Sequence, residues 1–99
     1  MRRGEIWFAD VPGDKRRPVV VITRDSVLPG LTTILVAPVT TRIRNIPTEI
    51  PVSGLRRTCV ANLDNVTALS KSTLVERVGR LSGDELEALC AAARFAIGC

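Results

Sequence analysis

Arg17 and Pro18 open the apolar run Val19 to Thr23, and a second apolar run, Ile34 to Val39, ends in Thr40 and Thr41. If both runs are strands, a guanidinium and a hydroxyl stand at their mouths, where loops carry functional groups on a rigid scaffold. The chain of 99 residues has no histidine, so the usual imidazole acid and base is missing and any chemistry is led by arginine. A guanidinium presents a planar fork of donors that matches phosphate oxygens, and a threonine hydroxyl both donates and accepts. Together they can stabilise charge on a phosphoryl centre and hold it in place. Neither is a good proton acceptor, and no carboxylate adjoins Arg17 or Thr40 in sequence. The base is therefore expected from a remote group, the arginine itself, a partner chain or solvent.

Other groups can assist. Lys15, Arg16, Arg24, Arg42 and Arg44 are candidate contacts to a nucleic-acid backbone, with Arg42 and Arg44 on one face if Thr41 to Ile43 is extended. Thr41 belongs with them, because a shift of one residue in a strand exchanges the two faces. Asp64 and Asn65 follow a strand and can read base edges or cap a turn. The lone Trp7, in an apolar first strand, is expected to pack. Arg56 and Arg57 add positive field without a defined place relative to Arg17.

Composition sets the limits. The length allows one domain, residues 1–99, with one site or a half-site completed by dimerisation. Fourteen Lys and Arg against ten Asp and Glu give a net charge of +4, which favours a phosphate-bearing or acidic partner. No apolar stretch approaches the roughly 20 residues that span a bilayer and neither terminus has a secretory pattern, so a cytoplasmic protein is expected. Cys59, Cys90 and Cys99 show no CxxC spacing, which argues against a zinc site or disulfide scaffold and leaves Cys59 and Cys90 as structural thiols. Asp64, Asp84 and Glu85 lack a metal-binding context, and there is no glycine-rich nucleotide fingerprint. No cofactor is expected.

The elements that must position these groups are mostly strands. Gly4 to Ala9 is aromatic and β-branched enough for a first strand, ended by the turn Val11-Pro12-Gly13-Asp14. Lys15 to Arg17 then lies in a loop, and Pro18 starts a second strand running to about Thr23. With no polar face, that strand is expected to be central and covered on both sides. Thr33 to Val39 is a third strand whose Pro38 argues for an edge, a bulge or a strand end. Pro47 to Val52 and Thr58 to Leu63 read as strands around a Ser53-Gly54 turn, and Ser70 to Ser72 as a turn or helical start. Leu74 to Leu81 is a further strand. Ser82 and Glu85 have capping-box spacing, and Leu86, Leu89, Cys90, Ala93 and Ile97 follow as one helical stripe. The expected architecture is a small, strongly curved antiparallel sheet or barrel with a terminal helix.

Several fragments in fixed order carry a family resemblance: Arg3-Gly4-Glu5-Ile6-Trp7-Phe8-Ala9-Asp10, Arg16-Arg17-Pro18-Val19-Val20-Val21-Ile22, and Ala37-Pro38-Val39-Thr40-Thr41. Val60-Ala61-Asn62-Leu63-Asp64-Asn65 and Arg77-Val78-Gly79-Arg80-Leu81-Ser82 continue the series. With them the chain resembles the MazF/PemK-like toxins, the endoribonucleases of type II toxin-antitoxin systems, over nearly its whole length. The resemblance implies a mainly β fold with α, a small SH3-like barrel of the MazF/CcdB toxin type with a C-terminal helix, assembled as a homodimer. It implies metal-independent cleavage of single-stranded RNA, leaving a 2′,3′-cyclic phosphate and a 5′-hydroxyl, and inhibition by a cognate antitoxin. The family's catalytic arginine and threonine fall on Arg17 and Thr40. The segment Val11 to Arg16 is short for the family, whose loop there helps form the RNA groove. Related toxins of this architecture poison DNA gyrase, so a non-catalytic, protein-binding role is the alternative.

Overall fold

A computed structural model describes residues 1–98; Cys99 lies outside the described residues. The strands are β1 (Glu5–Ala9), β2 (Arg17–Val21), β3 (Thr33–Thr40), β4 (Glu49–Val52), β5 (Cys59–Asn62), β6 (Thr67–Ser70) and β7 (Leu74–Arg80), followed by helix α1 (Gly83–Ile97). They form an antiparallel sheet in the order β4-β5-β3-β2-β1-β7, with β6 paired to β3 beside that path. The sheet curls into a half-barrel, and α1 packs against β4 and the short 3-10 turn Leu63–Asn65.

The unbroken apolar run of β2 has its explanation in two cores. Val20 packs with Ile6, Ala37, Ala61, Leu81 and Leu89 on one face, whereas Val19 and Val21 pack with Leu28, Ile34, Val36 and Leu74 on the other. The strand is central and covered on both sides, as its composition predicts. It begins one residue early and stops short: Arg17 is its first residue, not part of the preceding loop, and Val21 is its last.

Pro38 sits in the middle of the sheet, not at an edge, and pairs with Val19. The backbone of Leu35 points toward β2, since its carbonyl accepts from Ile22 N and its N–H donates to Thr23 Oγ1. By strand alternation Pro38 faces the other edge of β3. There β6 ends opposite Val36 and β5 begins opposite Val39, so the missing N–H of Pro38 falls in the gap between two partners.

The strand β6 escapes sequence reading because its residues Thr67 to Ser70 are mostly exposed and carry no apolar alternation. The helix begins as predicted: Ser82 Oγ accepts from Glu85 N and Glu85 Oε1 accepts from Ser82 N. Its buried face is shifted from the predicted stripe, with Leu89 and Ala92 buried and Ile97 73% exposed. Gly4 is fixed by two constraints: its φ is +87°, and a Cβ would lie 2.8 Å from Leu86 Cδ2.

Candidate functional site

The register of the central strands places the two residues singled out by their chemistry. β2 and β3 pair as Val19↔Pro38, Val20↔Ala37 and Val21↔Val36. Continuing that antiparallel register by two residues sets Arg17 opposite Thr40, at the end of the sheet where both strands leave their partners. Arg17 and Thr40 line one cleft of about 910 Å³, roughly twice the volume of two further hollows of about 410 and 500 Å³.

The cleft has an apolar floor and basic walls. Phe8, Pro18, Val39, Leu55, Cys59 and Val78 supply the floor. One wall is the β1–β2 loop with Lys15 and Arg16, continued by Arg17 at the start of β2, and the other is the β4–β5 hairpin with Arg56 and Arg57. No acidic residue lines it.

The two neighbouring arginines of the first wall differ. Arg16 Nη2 bonds Glu76 Oε1 of β7 at 2.8 Å, and its guanidinium lies 5.0 Å from the Phe8 ring centroid. Its charge is largely matched, and it latches the short loop to the sheet. Arg17 has its side chain 62% exposed, with only Asp14 Oδ1 nearby, 3.8 Å from Nη2. Its donors are open to a ligand. Asp14 also accepts from Lys15 N at 2.7 Å, which helps fix the loop. No carboxylate adjoins Arg17 in sequence, but the fold brings one near. Asp14 lies three residues back, and the turn closed by Asp14 N donating to Val11 O folds it toward the guanidinium.

Thr40 is half-buried, and its Oγ1 accepts from Arg42 N at 3.1 Å. That contact engages a lone pair and leaves the hydroxyl proton free to donate. Thr41 lines the same cleft. Arg42 and Arg44 do not form an extended pair. Arg42 is turned by its bond to Thr40, and Arg44 N with Asn45 N donates to Glu49 Oε1, in a loop where Asn45 has a φ of 55°. Neither lines the cleft, nor does Arg24 in the turn after β2.

Asp64 and Asn65 are also outside the cleft. Asp64 Oδ2 accepts from Thr48 Oγ1 at 2.6 Å and Asp64 N donates to Asn62 Oδ1 at 2.9 Å, so Asp64 orders a turn, the 3-10 turn that Asn65 ends. Asp64, Asp84 and Glu85 do not cluster, and no group of three potential metal ligands gathers among the described residues. Trp7 packs against the second core and donates through Nε1 to Glu5 Oε1 at 3.0 Å. Cys59 is buried under the cleft; burial, reinforced by Glu85, pushes its thiol above its ordinary 9.0, so it stays protonated and unreactive near neutrality.

Sequence reasoning gave Arg56 and Arg57 no position. Their signal was the doubled arginine after Ser53-Gly54, but only the pairing Val52↔Cys59 turns that hairpin toward Arg17.

The description PemK-like, MazF-like toxin of type II toxin-antitoxin system matches residues 2–97 of the chain. A Mycobacterium tuberculosis protein named Probable endoribonuclease MazF5 is 40% identical over 101 aligned positions, covering 98% of this chain and 93% of that protein. The solved structure of the Mycobacterium tuberculosis toxin MazF-mt6 superposes with a TM-score of 0.87 at 36% identity, covering 95% of this chain and 96% of the other. An endoribonuclease from a mycobacterial species, solved with its cognate antitoxin, shares the fold with a TM-score of 0.89 at 23% identity, over 99% and 95% of the two chains.

Proposed function

Since this chain belongs to the PemK-like, MazF-like toxin family of type II toxin-antitoxin systems, we propose that it is a sequence-selective, metal-independent endoribonuclease that cuts single-stranded RNA. The observation that carries this reading is the single cleft in which an open guanidinium, Arg17, meets a hydroxyl with a free proton, Thr40, between cationic walls. A phosphodiester fits it. Its charge is attracted by the walls, and its bases and sugars suit the apolar floor.

In the proposed reaction the ribose 2′-oxygen attacks the adjacent phosphorus while the P–O5′ bond breaks. The products are a 2′,3′-cyclic phosphate and a 5′-hydroxyl. Arg17 holds the nonbridging oxygens through two parallel donors and stabilises the charge that builds on them. Thr40 donates to one of those oxygens and keeps the phosphorus in line with the 2′-oxygen. The 2′-hydroxyl proton leaves through water to Asp14, which stands outside the cleft lining and 3.8 Å from Arg17 Nη2. Solvent returns a proton to the departing 5′-oxygen.

The proposed setting is the cytoplasm, with the protein a homodimer held inactive by a cognate antitoxin. The antitoxin-bound mycobacterial endoribonuclease of the same fold supports that partner. Among the described residues no helix is long and apolar enough to cross a membrane.

The test is to incubate the purified protein with mixed-sequence RNA in EDTA and to map the new ends, with Arg17→Ala alongside. Discrete cuts bearing cyclic phosphates, absent from the folded variant, are expected. Equal cutting by that variant would remove Arg17 from the mechanism, and no cutting by the wild type on diverse RNAs would overturn the nuclease reading.

A further inference from the structure

We propose that Arg56 and Arg57, on the β4–β5 hairpin, form a second phosphate-binding subsite that holds the RNA backbone one or more nucleotides away from the scissile phosphate. The inference rests on the ribonuclease reading and adds to it the group that sets the length of the RNA footprint.

Position is the first support. The hairpin closes at Val52↔Cys59, and residues 53–58 form its tip. Gly54, with a φ of +83°, makes the reversal, and the tip then runs through Leu55, Arg56 and Arg57 along the wall opposite Lys15 to Arg17. Leu55 joins the apolar floor, while both arginines are exposed.

Charge is the second. Arg16, Arg17 and Arg77 each have a carboxylate within 4 Å, in Glu76, Asp14 and Glu5. Arg56 and Arg57 form no ion pair and no side-chain hydrogen bond among the described residues. Two adjacent, uncompensated guanidinium groups repel each other, and an anion between them relieves that repulsion.

The third support is mechanical. Ser53 N donates to Glu85 Oε2 at 2.8 Å, so the hairpin is tied at its base to the start of α1. An anchored hairpin presents its cations in a fixed place, which a length-measuring subsite requires. A strand of RNA crossing the apolar floor has its phosphates on the outside, one near Arg17 and another in reach of the opposite wall. Of the cationic side chains that line the cleft, Arg16 and Arg17 already have carboxylates beside them, whereas Arg56 and Arg57 have none among the described residues.

The experiment measures binding of a fluorescently labelled, uniformly 2′-O-methyl RNA of mixed sequence, which lacks the nucleophile, across a NaCl series. Each phosphate contact to a single strand adds about 0.7 to the slope of log affinity against log salt. The full-length double variant Arg56→Ala/Arg57→Ala should flatten the slope by about 1.4, two such contacts. Arg56→Lys/Arg57→Lys should restore most of it. The charge-matched control Arg80→Ala/Arg94→Ala, at exposed positions outside the cleft, should leave the slope as in the wild type. Trimming the RNA from one end, but not the other, should erase the difference between wild type and the hairpin variant.

An unchanged slope in a hairpin variant that unfolds at the wild-type temperature would overturn the subsite while leaving the nuclease reading intact. An equal effect of the control would show that net charge, not position, matters, and would overturn it too. So would lost affinity for a polyglutamate peptide with RNA binding intact, which would give the surface to an acidic protein. Failure of the wild type to cut or bind any RNA would overturn the function itself, a distinct result.

Discussion

Two arginines one residue apart illustrate how position along a strand divides structural from chemical roles. Arg16 lies against Phe8 and Glu76 and holds the loop; Arg17, the next residue, turns into the cleft with its donors open. Sequence puts Arg17 first, by its place at a strand mouth and by the family resemblance, but the physical cause of the difference depends on Glu76, sixty residues from Arg16. The same local reading passes over Asp14, whose carboxylate reaches Arg17 only through the turn between them. Asp14→Asn should therefore lower kcat by about 10²-fold or more, the usual contribution of a positioned base. Affinity for a non-cleavable RNA should hold or tighten, since a carboxylate no longer competes for Arg17. Unchanged kcat would take Asp14 out of the reaction. Thr40→Val keeps the shape and removes the donor, with an expected loss in kcat on the order of 10²-fold. Thr41→Ala should cost far less, and the reverse ranking would place the working hydroxyl one residue on.

At the scale of elements, Glu85 joins two pieces. It completes the capping box of α1 with Oε1 and receives Ser53 N with Oε2, so helix start and hairpin base share one carboxylate. Burial raises its pKa, but the hydrogen bonds from Ser82 and Ser53 outweigh that and hold it below the ordinary 4.5. Glu85→Ala should cost about 1–2 kcal/mol, from the lost cap and a charge-assisted bond discounted for partial exposure. In a domain of this size that lowers Tm by roughly 5–10 °C. RNA affinity should fall as well, because the hairpin loosens. A Tm loss without any change in binding would separate helix from hairpin. The capping box was readable from Ser82 and Glu85 alone because it is local. The link to Ser53 was not, nor was β6, whose exposed Thr67 to Ser70 owe their strand state to the neighbouring β3. Pro38 misled in the same way: an edge signal became a central residue because the sheet changes partners beside it.

For the whole molecule the governing feature is a curled sheet whose central strand is buried on both faces, with a carboxylate contact across the β1–β7 seam. Glu5 of β1 is buried and accepts from Arg2 N and Trp7 Nε1, while Arg77 on β7 pairs with its other oxygen at 3.2 Å. Burial pushes its carboxyl up, yet Trp7, Arg2, Arg77 and the N-terminal charge together hold it below the ordinary 4.5. A depressed carboxylate pKa means that the unfolded chain binds the proton first as pH falls. The stabilisation from Glu5 is then complete above about 4.5 and is lost as pH drops through the lowered folded value. Glu85 adds to the loss in the same direction and window. Wild-type stability should therefore be nearly flat from pH 7 to pH 5 and fall steeply below 4.5. Glu5→Gln should be less stable at pH 7, because Arg77 loses its partner charge, and the gap between the two proteins should close as pH falls. Urea unfolding at a series of pH values reads this directly. Parallel curves down to pH 3 would show that the β1–β7 seam is held by packing alone, with the charge on Glu5 contributing nothing to it.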